Sequence, residues 1–167
     1  DKGAEYWDEN GGLLIAGVIA YVLISDRFSL DQKNLITVRA ILRNIDFLDV
    51  CMNEMAKISI AGGLCQSAYS AYKAKEGNYF RTNAQSNTTW LDSEAMKNTL
   101  GHSTFSLSDL KLGKCHVYLV LPARYVTQHG RFLRLFVRNS IEAMAREYRH
   151  QPIHNHGCLF LLDEFFA

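Results

Sequence analysis

Apolar residues recur three and four positions apart through most of the first hundred residues, and that spacing predicts helices alone. Tyr6-Trp7 leads into Leu13–Ile24, twelve residues without a charge. The run falls short of the ~17–25 residues that cross a bilayer, so it predicts a buried core helix. Its small residues Ala16, Gly17 and Ala20 let a partner helix come close. Ser29 and Gln32 have capping-box spacing and are expected to open a helix carrying Leu35, Val38 and Leu42, ending near Asn44. Asp46 is the expected N-cap of the next helix, whose face is Leu48, Cys51, Met52, Met55, Ile58 and Ser59. Gly62-Gly63 marks a kink or a break, since each glycine costs about 1 kcal/mol relative to alanine inside a helix. The period resumes through Leu64, Ala68 and Tyr72 and stops at Glu76-Gly77-Asn78. Arg81–Thr89 reads as a polar loop, and its Asn87-Thr88-Thr89 sequon as an ordinary part of that loop. Trp90–Leu100 is expected to be a short helix closed by Gly101.

After His102 the pattern changes. Ser106–Leu110 reads as a capped single turn stopped at Gly113. Val117-Tyr118-Leu119-Val120-Leu121, ending at Pro122, is a short continuous apolar run and predicts a strand buried on both faces. Arg131–Tyr148 is amphipathic, with Leu133, Phe136, Val137, Ser140, Ile141 and Met144 on one side. A loop over His150–Gly157 precedes a second apolar run, Cys158–Leu162, and then Asp163-Glu164. Strand, helix and strand in that order predict a right-handed parallel βαβ crossover. Two parallel strands are not a stable sheet alone, so this third of the chain is expected to be a piece of a larger α/β domain. The fold class is therefore mainly α: a bundle of about five to seven helices over residues 1–104, with a partial α/β piece over 105–167.

Composition narrows the function classes. The 167 residues carry 18 Lys+Arg against 17 Asp+Glu, and this near-neutral balance is not that of a pure phosphate-backbone binder. Residues 1–100 have net charge −2 and residues 101–167 net +3, which supports a boundary near residue 102. Cys51, Cys65, Cys115 and Cys158 lie far apart without a C-x-x-C pair and read as reduced, mostly buried thiols. The start, Asp1-Lys2-Gly3-Ala4, lacks a methionine and a signal peptide, and the sequence reads as cut at both ends.

The sharpest chemical pattern is Leu159-Phe160-Leu161-Leu162-Asp163-Glu164, a hydrophobic strand that delivers two acids at its carboxyl end. A Walker B aspartate at such a place holds Mg²⁺, and the adjacent glutamate polarises the attacking water. An exposed acidic strand end is the alternative. The partner motif G-x-x-x-x-G-K-[ST] is missing; Gly113-Lys114-Cys115 has neither the upstream glycine nor the following hydroxyl. Hydrolysis of ATP by this chain alone is not expected. His150, His154, His156 and Cys158 carry donors that tetrahedral zinc accepts, but Cys158 is expected to open a buried strand, and no metal is assigned. His102, His116 and His129 are expected to be surface or satisfied histidines. Arg124, Arg131, Arg134 and Arg138 could meet phosphate or a neighbouring subunit, or form a solvated helix face. Tyr69, Tyr72, Tyr79, Phe80 and Trp90 are candidate partner anchors, with core packing as the alternative.

Trp7 with Leu13–Ile24, Phe105–Leu110, Val117–Pro122, Arg131-Phe132-Leu133-Arg134-Leu135 and Leu161-Leu162-Asp163-Glu164-Phe165 follow one another in an order that resembles the type IV secretion system coupling proteins. These are hexameric ATPases that hand substrates to a secretion channel. The central part, about Asp26–Asn87, resembles them only loosely. The resemblance implies an all-alpha domain inserted between Walker A and Walker B of a RecA-like P-loop domain. It implies that Asp163 is the Mg-ATP-associated residue and Glu164 the water-activating one, in the intact parent only, with no cofactor in this fragment. It also implies a cytoplasmic domain of a bacterial inner-membrane protein, other secretion-system components as partners and a homo-hexameric parent. The expected function is recruitment of effector proteins through their carboxy-terminal secretion signals. The alternatives are an ATPase fragment whose helical insertion regulates the hexamer, and a DNA-contacting module of conjugation.

Overall fold

A computed structural model describes residues 2–112, 115–150 and 158–162. The chain divides into two compact units, Asp1–His102 and Ser103–Ala167. The first is built from six helices: α1 (Lys2–Ile24), α2 (Leu35–Arg43), α3 (Ile45–Met55), α4 (Leu64–Lys73), α5 (Gly77–Asn87) and α6 (Glu94–Leu100).

The twelve-residue apolar run sits inside α1, and this helix is the axis of the unit. Leu14, Val18, Tyr21 and Val22, at helical spacing, are buried completely or nearly so. They meet a core of Ile41, Leu42, Leu48, Met52, Met55, Cys65 and Phe80. Each fully buried aliphatic side chain of this kind stabilises by about 1.5–3 kcal/mol relative to exposure. α1 packs against α2, α4 and α5. Close approach falls on Gly17: a Cβ there would collide with Ala68 on α4 and press on Met55. Ala16 and Ala20 are only half-buried.

The starts of α2 and α3 differ from expectation. The Gln32 side chain does accept from the Ser29 N–H (3.1 Å), but the box closes only a single 3-10 turn, Leu30–Gln32. Asn34 caps α2, its Oδ1 accepting from the N–H groups of Ile36 and Thr37 at 3.0 Å each. Its amide also donates to the carbonyls of Asp31 (2.8 Å) and Gly101 (3.2 Å), so one side chain ties the turn, α2 and the end of α6. Asn44, not Asp46, caps α3 by accepting from Phe47 N–H at 3.1 Å; Asp46 lies in the first turn. Gly62-Gly63 is a break. Both residues sit at positive φ, 63° and 77°, a region in which a side chain is strained, and α4 starts directly after them.

The largest correction is Arg81–Thr89, which is not a loop. Residues through Asn87 belong to α5, and Thr88 caps its end. Phe80, Ala84 and Thr88 recur every fourth residue and are buried. Polar side chains that favour loops in isolation are occupied here: Gln85 donates to Leu42 O (2.7 Å), Asn83 to Asp8 (3.0 Å), and the Thr88 hydroxyl to Ala84 O (2.8 Å). Trp90–Leu100 divides into a 3-10 turn, Thr89–Asp92, and α6. Gly101 ends α6 in a right-handed conformation, φ −68°, so no left-handed cap forms there.

The second unit contains α7 (Asp109–Leu112), a 3-10 turn at Ala123–Tyr125 and α8 (Val126–His150). Asp109 accepts from the Ser106 N–H at 2.9 Å, closing the expected capped turn. α8 starts five residues before the expected Arg131, directly behind the turn that Tyr125 N–H makes onto Pro122 O (2.8 Å). Among the described residues there is no strand. Val117–Leu121 and Cys158–Leu162 are irregular, so the expected βαβ pairing is not seen. A lone parallel pair lacks the neighbouring strands and cover that make a sheet stable.

Candidate functional site

Asp163 and Glu164 lie outside the described residues, as do the side chains of His150, His154 and His156. The apolar run before the acidic pair is described. Cys158 and Phe160 are half-buried, and the Cys158 thiol donates to Leu110 O at 3.5 Å. Leu159 and Leu161 stand 88% and 89% exposed. Among the described residues no three His, Cys, Asp or Glu side chains gather as metal donors.

Of the lone histidines, His102 and His116 are exposed. His129 is neither exposed nor satisfied: it is 4% exposed on α8, beside the Tyr125 ring at 6.0 Å, and its Nδ1 has no hydrogen-bond partner. The aromatic candidates separate. Phe80 belongs to the core, and Tyr69 and Tyr72 pack half-buried against it. Tyr72 donates to Asp49 at 3.0 Å, and Lys73 lies over both tyrosine rings. Burial, helped by Asp49, raises the Tyr72 hydroxyl pKa. Trp90 is half-buried, and only Tyr79, 69% exposed, stands out from the surface.

Two polar clusters in the helical unit carried no sequence signal. Arg39, on α2, is 7% exposed. Its guanidinium donates to both Asp92 oxygens (3.0 and 2.5 Å), to Gln85 O (2.7 Å) and to the Thr88 hydroxyl (3.0 Å). It thereby joins Thr88 in donating to the Gln85 carbonyl at the end of α5 and ties that helix to the 3-10 turn after it. Arg39 in turn holds the Asp92 carboxyl below its ordinary pKa. The second cluster joins α1 to α3. Tyr21 donates to Glu54, which also pairs with Arg27. Arg27 holds Glu54 below its usual range, while burial pushes Tyr21 up to about 12 and the neighbouring Cys51 thiol up to about 11. Both clusters hold the fold rather than open onto a cleft. A shallow cavity of about 170 Å³ lies between α1 and α2, lined by Ile19, Val22, Leu23, Lys33, Leu35 and Val38.

Charge gathers on the second unit. Arg124, Arg131, Arg134 and Arg138 are all exposed; Arg124 covers the Tyr125 ring at 4.8 Å, and Arg138 pairs with Glu142 at 3.0 Å. No helix among the described residues is long and apolar enough to cross a membrane.

A family model described as type IV secretory system conjugative DNA transfer matches residues 2–167. The chain is 25% identical over 170 aligned positions to the type IV secretion system-coupling protein VirD4 of Bartonella quintana, covering 98% of this chain and 26% of that protein. It is also 25% identical over 167 positions to the coupling protein VirD4 of Bartonella henselae, with the same coverage. The chain thus spans about a quarter of the length of these relatives. No solved structure gives a significant match.

Proposed function

The chain belongs to the type IV secretory system conjugative DNA transfer family, and on that premise we propose that its helical part, residues 1–104, receives substrates for secretion. The substrates are effector proteins, docked through their carboxy-terminal signals and then passed to the channel by the intact, ATP-driven parent. One observation carries the reading: the family match runs the length of the chain, helical unit included. A unit that closes its own core around α1 has an outer surface available for docking, and this supports it.

Residues 105–167 fit the same reading as part of the parent's nucleotide-binding domain. Val117–Leu121 and Cys158–Leu162 would become strands of a larger sheet there, and their exposed apolar side chains would be covered by it. Asp163 would associate with Mg-ATP and Glu164 would activate water, in a homo-hexamer at the bacterial inner membrane with this chain on its cytoplasmic side. Other secretion-system components are further partners.

The test is a titration of the isotopically labelled chain with the carboxy-terminal signal domain of a candidate effector, followed by amide shifts. Saturable shifts confined to residues 1–100 support recruitment and map its surface. Silence with several such domains, together with shifts near Asp163 on adding Mg-ATP, returns the chain to the role of an ATPase segment.

A further inference from the structure

The cavity of about 170 Å³ between α1 and α2 has walls of Ile19, Val22, Leu23, Leu35 and Val38, with Lys33 among them. An apolar cavity of about 150 Å³ holds a group the size of benzene, so this one has room for a single leucine or phenylalanine side chain. Leu23 lines it and is still 54% exposed, so the apolar surface opens outward rather than closing against the core. Asn34, also on the wall, is occupied: it caps α2 and donates to the carbonyls of Asp31 and Gly101. Lys33 has capacity to spare. Its ammonium carries three N–H donors and gives one to Leu23 O at 2.8 Å. The ion pairs of this unit join Arg27 to Glu54, Arg39 and Arg43 to Asp92, Lys73 to Asp49 and Lys97 to Glu94; among the described residues Lys33 enters none of them. The acid nearest to it in sequence, Asp31, accepts from the Ser29 hydroxyl at 2.5 Å instead.

We infer that this groove seats the carboxy-terminal residue of a partner polypeptide, its apolar side chain in the cavity and its free α-carboxylate paired with Lys33. Charge and shape argue together for that occupant. Inside a polypeptide a carboxylate and a bulky apolar side chain belong to different residues; the last residue alone carries both on one Cα. A free apolar amino acid also carries both, but it adds an ammonium that Lys33 repels and the apolar walls leave unsolvated. Capture of a chain end is a recurring way of reading a peptide. The inference rests on the reading of residues 1–104 as a receiver of substrates. It adds the chemistry of what is received: a bulky apolar last residue with its carboxylate free.

The test is a titration of the isotopically labelled whole chain with a glycine-serine peptide that ends in two leucines and a free carboxylate. Saturable amide shifts should gather on Ile19, Leu23, Leu35 and Val38, with a Kd on the order of 1 mM, as befits one small pocket. Amidating the terminus, or ending the peptide in serine, should each weaken binding about fivefold or more. Lys33→Gln should reproduce the loss caused by amidation, and the amidated peptide should lose nothing further on that variant. The amidated arm needs no altered protein, so a folding defect cannot imitate it. No saturable shifts up to about 5 mM peptide, or equal affinity for the amidated form, overturns the inference. Equal binding of free leucine overturns the polypeptide as occupant. Shifts from effector signal domains that fall elsewhere, or survive Lys33→Gln, overturn the groove and leave recruitment standing. Peptide binding here beside silent signal domains keeps the groove and removes recruitment alone.

Discussion

Leu14, Val18, Tyr21 and Val22 in the helical unit are 0–1% exposed; Tyr118, Val120, Leu159 and Leu161 in the second unit are 83–89% exposed. The two sets are about equally apolar. In the helical unit each apolar stripe has a facing helix, and its buried guanidinium has four acceptors. In the second unit one long amphipathic helix is present, but the apolar segments on either side of it have no ladder among the described residues, and alternate side chains on them stand exposed. The difference teaches that hydrophobicity becomes stability only where the topology supplies a second surface.

The contrast can be broken most directly by truncating side chains on both sides of it. Leu48→Ala, in the helical core, should cost about 3 kcal/mol, while Val120→Ala should change stability by no more than about 0.5 kcal/mol. Urea unfolding of both variants measures this, and similar losses would erase the distinction. Next in size is the buried cation. Arg39→Met should destabilise by about 2–3 kcal/mol, because Asp92 loses both hydrogen bonds from the buried guanidinium. Asp92→Asn should cost less, since that side chain is partly in water; thermal melts of the two variants order them.

A smaller effect is the alkaline limit of the helical unit. Tyr21 and Cys51 have folded-state pKa values raised to about 12 and about 11, so the stability they contribute is complete below the unfolded values near 10 and 9. It is lost as pH rises through the folded values. The unit should weaken progressively as pH rises from about 9 to about 12, and Tyr21→Phe should flatten that limb in urea midpoints. Glu54 and Asp92 act in the opposite sense: lowered in the fold, they contribute above the ordinary carboxylate range, and that contribution fades as pH falls through their folded values. The smallest effect is solubility without stability. Leu161→Lys should reduce self-association in light scattering while leaving the melting curve in place.

What was legible in the sequence was largely periodic. The 3.6-residue spacing identified α1, the face of α3 as far as Met55, the stretch of α4 and the amphipathic α8. The expected stop at Glu76-Gly77-Asn78 is only half right, since α4 ends at Lys73 but Gly77 and Asn78 already open α5. A resemblance in the order of short motifs identified the family. Tertiary context decided the rest. Arg81–Thr89 is polar enough to be a loop, and becomes helical because Phe80, Ala84 and Thr88 find α1 and α2 to bury against while Gln85 and Asn83 find partners far away in the chain. Asn34 outcompetes Ser29 as a cap because it also reaches Gly101, sixty-seven residues on. Arg39 is a core residue only because Asp92, Gln85 and Thr88 converge on it from positions at least forty-six residues away. Local spacing fixes which face of an element is apolar. Which long-range partner satisfies that face, or a polar group beside it, depends on contacts that no short window of sequence contains.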